Sequence, residues 1–148
     1  MKRFVFLTAL TLIAATILGC SNARPYGTVK VNGKVTYQDG SPWTTPNTTL
    51  YFVSQNPNKD SKTTPRIGNA VLNSDGTFDG VNTYDYFDGV IKGQCKIYFG
   101  LQKEAGAANP DYSAAELKKI INADYLSEEK TPLKFDIKGG FLDIKVSK

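Results

Sequence analysis

Histidine is absent from all 148 residues, and that absence removes whole classes of chemistry. A Ser or Cys nucleophile activated by a His base cannot be assembled. A zinc site drawing on imidazole is excluded for the same reason. Cysteine is nearly as scarce: Cys20 and Cys95 are the two in the chain, too few for a thiolate zinc cluster and enough for at most one disulfide. Beyond residue 20 the chain also lacks any run of like charges, Lys118 and Lys119 being the nearest approach to one. Nucleic-acid binding relies on a basic patch or stripe, so no nucleic-acid partner is expected. What is present is enough chain for one domain with a sizeable core.

The first nineteen residues stand apart. Lys2 and Arg3 precede sixteen uncharged residues, Phe4 to Gly19, the basic and apolar regions of a secretory signal. Crossing about 30 Å of hydrocarbon takes about 20 apolar residues, so the run is short for a membrane span. Its end, Ile17-Leu18-Gly19-Cys20, resembles a bacterial lipoprotein signal. The resemblance implies cleavage before Cys20, diacylglycerol on its thiol and an N-acyl chain such as palmitate on its amine. Ser21 in the next position resembles the sorting pattern of the outer rather than the inner membrane. An ordinary cleaved signal, or an uncleaved anchor with Cys20 incidental, is the alternative. Two or three acyl chains anchor stably where one holds only marginally. The expected division is a signal peptide at 1–19, a lipidated tether at 20–27 and a β domain at 28–148, in the bacterial cell envelope. Removing residues 1–19 leaves 16 basic residues against 14 acidic ones, a net charge of +2. With Cys20 acylated, Cys95 is left as a small apolar residue in a strand.

From Val29 onward the chain alternates. Val29, Val31, Val35 and Tyr37 share one parity and Lys30, Asn32, Lys34 and Thr36 the other, as in a half-buried strand. Gly33 falls on the apolar parity, where glycine marks a bulge or a close backbone approach. Residues 48–54 are apolar on both parities, which predicts a strand covered on both faces. Residues 55–66, with two prolines and no large apolar side chain, predict an exposed loop. Ala70 and Leu72, then Asp75-Gly76, then Phe78 predict a hairpin. Cys95, Ile97 and Phe99 mark another strand. Ser113 and Glu116 form a capping box ahead of Leu117, Ile120 and Ile121, the apolar stripe of a short helix in a late loop. At the end of the chain, a turn at Gly139-Gly140 pairs Leu133 with Val146, Phe135 with Ile144 and Ile137 with Leu142 in a predicted hairpin. The same register opposes Asp136 to Asp143 and Lys134 to Lys145, which is unfavourable. Seven or eight short strands with one small helix predict an all-β fold, an antiparallel β-sandwich.

The stretches Val31-Asn32-Gly33-Lys34-Val35, Leu50-Tyr51-Phe52, Asn73 to Phe78 and Gly93 to Ile97, with Tyr125, Pro132 and Leu133, resemble the carboxypeptidase-regulatory-like, or transthyretin-like, domain of bacterial surface lipoproteins. The resemblance runs over about residues 29 to 147 and departs at Cys95, where Tyr is usual, and at Asn73, where Thr or Ser is usual. It implies a transthyretin-like sandwich. Transthyretin-like hydrolases and ring-cleaving dioxygenases depend on histidines, which this chain lacks.

Two clusters carry the remaining candidates. Asp75, Asp79, Asp85 and Asp88 offer oxygens to a calcium ion or a carboxylate pair for acid-base work; the same residues also suit turns beside glycine. Trp43, Tyr84, Tyr86 and Phe87 offer a platform for a sugar ring or a protein partner, with core packing as the alternative. The expected function is a lipid-anchored, non-catalytic binding or structural module at the bacterial surface or in the periplasm, with a protein or glycan as partner. The alternatives are a carbohydrate-binding module using the aromatics and an enzyme using paired carboxylates.

Overall fold

Period-two alternation sets which side chains the strands bury, and the burial follows it. In β2 (Val31–Tyr37), Val31, Val35 and Tyr37 are buried while Asn32 is exposed. The computed structural model describes residues 24–45, 48–58, 63–101 and 114–148. The signal segment 1–19, Cys20, the tether as far as Ala23, and Ser113 lie outside the described residues, as does the side chain of Glu116.

The described strands are β1 (Thr28–Val29), β2, β3 (Thr48–Ser54), β4 (Gly68–Val71), β5 (Thr77–Phe78), β6 (Val90–Ile91), β7 (Gly93–Leu101), β8 (Lys134–Ile137) and β9 (Gly140–Val146). They form a four-stranded sheet in the order β4-β3-β7-β8, a three-stranded sheet β5-β2-β9 and a two-stranded ribbon β1-β6. The result is an all-β sandwich. Leu50, Phe52, Ile97 and Phe99 from the larger sheet share one core with Val35, Phe78 and Ile144 from the smaller. The rings of Phe52 and Phe78 meet across it at 6.0 Å. Burying each such side chain contributes about 1.5–3 kcal/mol. Gly33 permits the close approach its parity suggested: a Cβ there would lie 2.2 Å from Leu142 O and 2.7 Å from the Phe78 ring.

Two predicted hairpins are corrected. The turn at Asp75-Gly76 forms, with Asn73 N donating to Thr77 O at 2.8 Å, but β4 before it pairs with β3 and β5 after it pairs with β2. Likewise β8 pairs antiparallel with β7, whereas β9 runs parallel to β2. Gly139 and Gly140, both at positive φ (102° and 88°), carry the chain from one sheet to the other. Alternation specifies the side that faces the core, not the neighbouring strand. The crossing separates Asp136 from Asp143 and sets Asp143 beside Lys34 of β2, replacing a like-charge opposition with an opposite-charge one.

The β3 strand is covered completely on one face. On the other, Tyr51 stacks on Tyr98 of β7 at 4.9 Å and stays partly exposed. The late loop carries a helix, α1 (Ala114–Ile120), and a 3-10 turn, Ala123–Leu126. Leu117 and Ile121 are buried, and Tyr125 meets Phe99 edge-on at 6.4 Å. Among the described residues no helix is long and apolar enough to cross a membrane. Cys95 is free and buried.

Residues 24–27, which the sequence assigns to a tether, include two that engage the domain. Tyr26 is 6% exposed, and its hydroxyl donates toward Pro57 O and Thr63 O at 3.2 and 3.0 Å. Arg24 is ion-paired to the domain as well. The apolar ring of Tyr26, flanked by turn residues in the sequence, finds a slot on the sandwich.

Candidate functional site

Between β5 and β6 the chain makes a compact excursion whose ends are clamped. Asn82 and Asn69 exchange main-chain hydrogen bonds at 2.8 and 2.9 Å, and Gly89 N donates to Val81 O at 2.9 Å. Gly89 sits at φ 104°, and a Cβ there would lie 2.1 Å from Val29 O. Only glycine lets the returning chain press so closely on the start of the domain.

Side chains then fix the loop from within. Asp88, with a side chain 5% exposed, accepts from Thr83 N at 2.8 Å and Tyr84 N at 3.2 Å, and from Arg24 Nη1 at 3.1 Å. Asp85 pairs with Arg24 Nη2. Thr83 Oγ1 donates to Gly89 O at 2.6 Å, and Phe87 N donates to Asn82 Oδ1 at 2.6 Å. Lys30 Nζ donates to Phe87 O at 2.5 Å. Under these bonds Phe87 adopts φ 51°, a left-handed conformation costing a non-glycine residue about 1–2 kcal/mol. Strain of this kind persists only where the surroundings over-determine it.

The strained residue shapes the surface. The Phe87 ring closes over Gly80, where a Cβ would lie 2.9 Å from it. Tyr86 stacks on Phe87 at 4.1 Å with 23° between the planes and stands 80% exposed. The guanidiniums of Arg24 (5.9 Å) and Arg66 (5.4 Å) both stand over the Tyr84 ring, within cation-π range. Burial pushes the Tyr84 phenol above its ordinary value, and Asp88 adds to that while the nearby Arg66 opposes it.

Beside the loop lies a groove of about 320 Å³ whose lining includes Lys30, Asn32, Asp79, Gly80 and Phe87. Its volume is at the small end of ligand pockets. Lys30, Asn32 and Asp79 bring hydrogen-bonding side chains to its border beside the Phe87 ring.

The structure brings Tyr84, Tyr86 and Phe87 together and corrects Trp43. That residue is fully buried at the far end of β2, stacked between Tyr37 (5.7 Å) and Phe99 (5.1 Å) with Nε1 donating to Thr45 O at 3.1 Å. The bridge between Thr36 and Pro42 turns the following residue inward. The four aspartates also divide. Asp85 and Asp88 meet at Arg24. Asp75 caps its own turn, accepting from Thr77 N and Oγ1 at 3.0 and 2.6 Å, and those bonds hold its carboxyl below its ordinary value. Asp79 accepts from Asn73 Nδ2 at 3.4 Å. Among the described residues no group of three or more acidic or thiol side chains gathers as a metal would require, and the four aspartates are split between separate local networks.

Arg24, Lys30, Arg66 and Asn82 complete the loop and went unrecognised in the sequence. Arg24 lies 61 and 64 residues from its two partners, a separation with no local signature.

No protein-family model matches the chain, and no curated protein matches it. Among solved structures, a DUF3823 family protein from Parabacteroides merdae is similar, at 14% sequence identity and a TM-score of 0.40. The match covers 82% of this chain and 47% of that one, so the chain spans about half the length of that protein.

Proposed function

We propose that the chain is an exported, lipid-anchored, non-catalytic β-sandwich of the transthyretin-like kind, a binding module of the bacterial cell envelope that uses the Tyr84–Phe87 loop as its contact surface. Anchoring is supported by the basic and apolar leader ending in Ile17-Leu18-Gly19-Cys20, and the outer membrane is favoured by Ser21. The transthyretin-like reading is supported by the glycine and strand motifs of β2, β3 and β7. The observation that carries the binding role is Tyr86: an aromatic ring 80% exposed, supported by a neighbour held in a strained conformation, is a surface shaped for contact.

The test is intact-mass spectrometry of the chain matured in a bacterial host, with detergent phase partitioning of wild type and Cys20→Ala. A mass carrying acyl chains at Cys20, and loss of the detergent phase in the variant, are expected. An unmodified thiol at Cys20 overturns the anchor.

A carbohydrate-binding reading is favoured by the groove beside Phe87, where Lys30, Asn32 and Asp79 offer hydrogen bonds next to an aromatic edge. Titration of a glycan panel against Tyr86→Ala and Asp79→Ala separates it from the first reading. Saccharide affinity lost in both variants establishes it.

A further inference from the structure

We infer that the loop end of the sandwich docks on the interfacial layer of the membrane that holds the lipid anchor, with Tyr86 entering the headgroup region; this rests on the acylation of Cys20 proposed above. The argument starts from reach. From Cys20 to Arg24 there are four residue steps, which span at most about 13–15 Å fully extended. Arg24 is not free to swing, because its guanidinium is paired with Asp85 and Asp88 and the next aromatic, Tyr26, is buried. Acyl chains on Cys20 therefore hold Arg24 within about 13–15 Å of the anchoring residue, and the 82–88 loop within about one side-chain length more.

The composition of that end fits the position. Of the four large apolar side chains exposed among the described residues, Ile67, Val71, Tyr86 and Phe141, three belong to it. Ile67 precedes Gly68, whose Cα faces Thr83 of the loop. Phe141, the second residue of β9, lies beside Asn32, one residue past the Gly140 N bond to Lys30 O. Val71 lies at the other end, opposite Thr49. Tyrosine, with an apolar ring and a hydroxyl that stays hydrated, suits the membrane-water boundary. Arg66 is exposed and Lys30 borders the groove, while Asp85, 69% exposed at its side chain, is paired with Arg24, so the end carries charges of both signs, as a zwitterionic headgroup does.

The experiment places a fluorophore at the loop. The full chain, matured with its lipid, carries Tyr86→Trp and is reconstituted into phosphatidylethanolamine and phosphatidylglycerol vesicles with or without brominated lipid. Wild type serves as the reference, because Trp43 is fully buried at the far end of β2. The expected result is a blue-shifted emission that brominated lipid quenches in proportion to its fraction, with no quenching in wild type. Vesicle flotation and intact mass are read on the same sample. A chain that floats with acylated Cys20, yet keeps a water-like, unquenched emission from the introduced tryptophan, overturns the docking and leaves the anchor standing. A chain with an unmodified thiol that fails to float overturns both. Should the emission shift only when a glycan or a protein is added, the surface belongs to that partner and the membrane proposal falls.

Discussion

Arg24 Nη1 reaches the carboxylate of Asp88 at 3.1 Å although 64 residues separate the two, and this contact joins the start of the domain to the loop that carries Tyr86. The two partners differ in exposure. Arg24 is 42% exposed at its side chain and Asp88 5%. Asp88→Ala strands the Thr83 and Tyr84 amides that its carboxylate satisfies, at about 1–3 kcal/mol. Arg24→Ala removes a half-exposed partner and costs about 1 kcal/mol or less. Urea unfolding of both variants is expected to rank them in that order; equal losses would mean that the carboxylate does no more than pair with the arginine.

Two glycines at positive φ separate conformational strain from lack of space. Gly40 (φ 83°) has nothing within 4 Å of where a Cβ would stand, whereas at Gly89 (φ 104°) the same atom would meet Val29 O at 2.1 Å. Gly40→Ala is expected to cost about 1 kcal/mol from the left-handed conformation alone. Gly89→Ala adds a clash with main chain that cannot rotate away, giving a further loss of about 1–3 kcal/mol. Thermal melts of the pair check the difference.

Trp43 and Tyr86, grouped together by the sequence, occupy opposite environments, fully buried and 80% exposed. Trp43→Ala opens the core between Tyr37 and Phe99 and is expected to cost about 3–5 kcal/mol. Tyr86→Ala changes stability by about 0.5 kcal/mol or less, as at other exposed positions. In the native protein, acrylamide is expected to leave Trp43 emission unquenched. Efficient quenching would be inconsistent with its burial.

Burial pushes the Cys95 thiol from 9.0 up to about 12. The folded state therefore favours the neutral thiol, and its contribution is complete below pH 9.0, the unfolded value, and declines as pH rises from there toward about 12. Stability should fall across that interval more steeply in wild type than in Cys95→Ala. A thiol reagent at pH 8 is expected to react with Cys95 only after denaturant is added.

Much of the sandwich can be read from parity. Val35, Ile97 and Ile144 each occupy an apolar position of an alternating strand, and each is fully buried. Partner choice is less accessible. Leu133 to Val146 match equally well as a hairpin or as strands of two sheets, because each keeps its apolar side toward the same core, and only the predicted clash of Asp136 with Asp143 hinted at the second arrangement. The site was legible in its aromatic half: Tyr84, Tyr86 and Phe87 fall within four consecutive residues. Its supports were not, since Arg24 and Lys30 come from a segment that reads as linker and early strand. Trp43 misled because turn residues surround it, and turn chemistry says nothing of which way the next side chain points.

The parallel pairing of β2 with β9 carries a kinetic consequence. Its register runs from Val31 beside Gly140 to Tyr37 beside Val146, so one of the earliest strands waits for the last. Until β9 is in place, β2 has only the two-residue ladder with β5 to complete its sheet, and ordering a strand on so little support is entropically unfavourable. The smaller sheet is therefore gated by a contact between strands about 110 residues apart, so its closure is a long-range event and the larger sheet, built from β3, β4 and β7, can gather first.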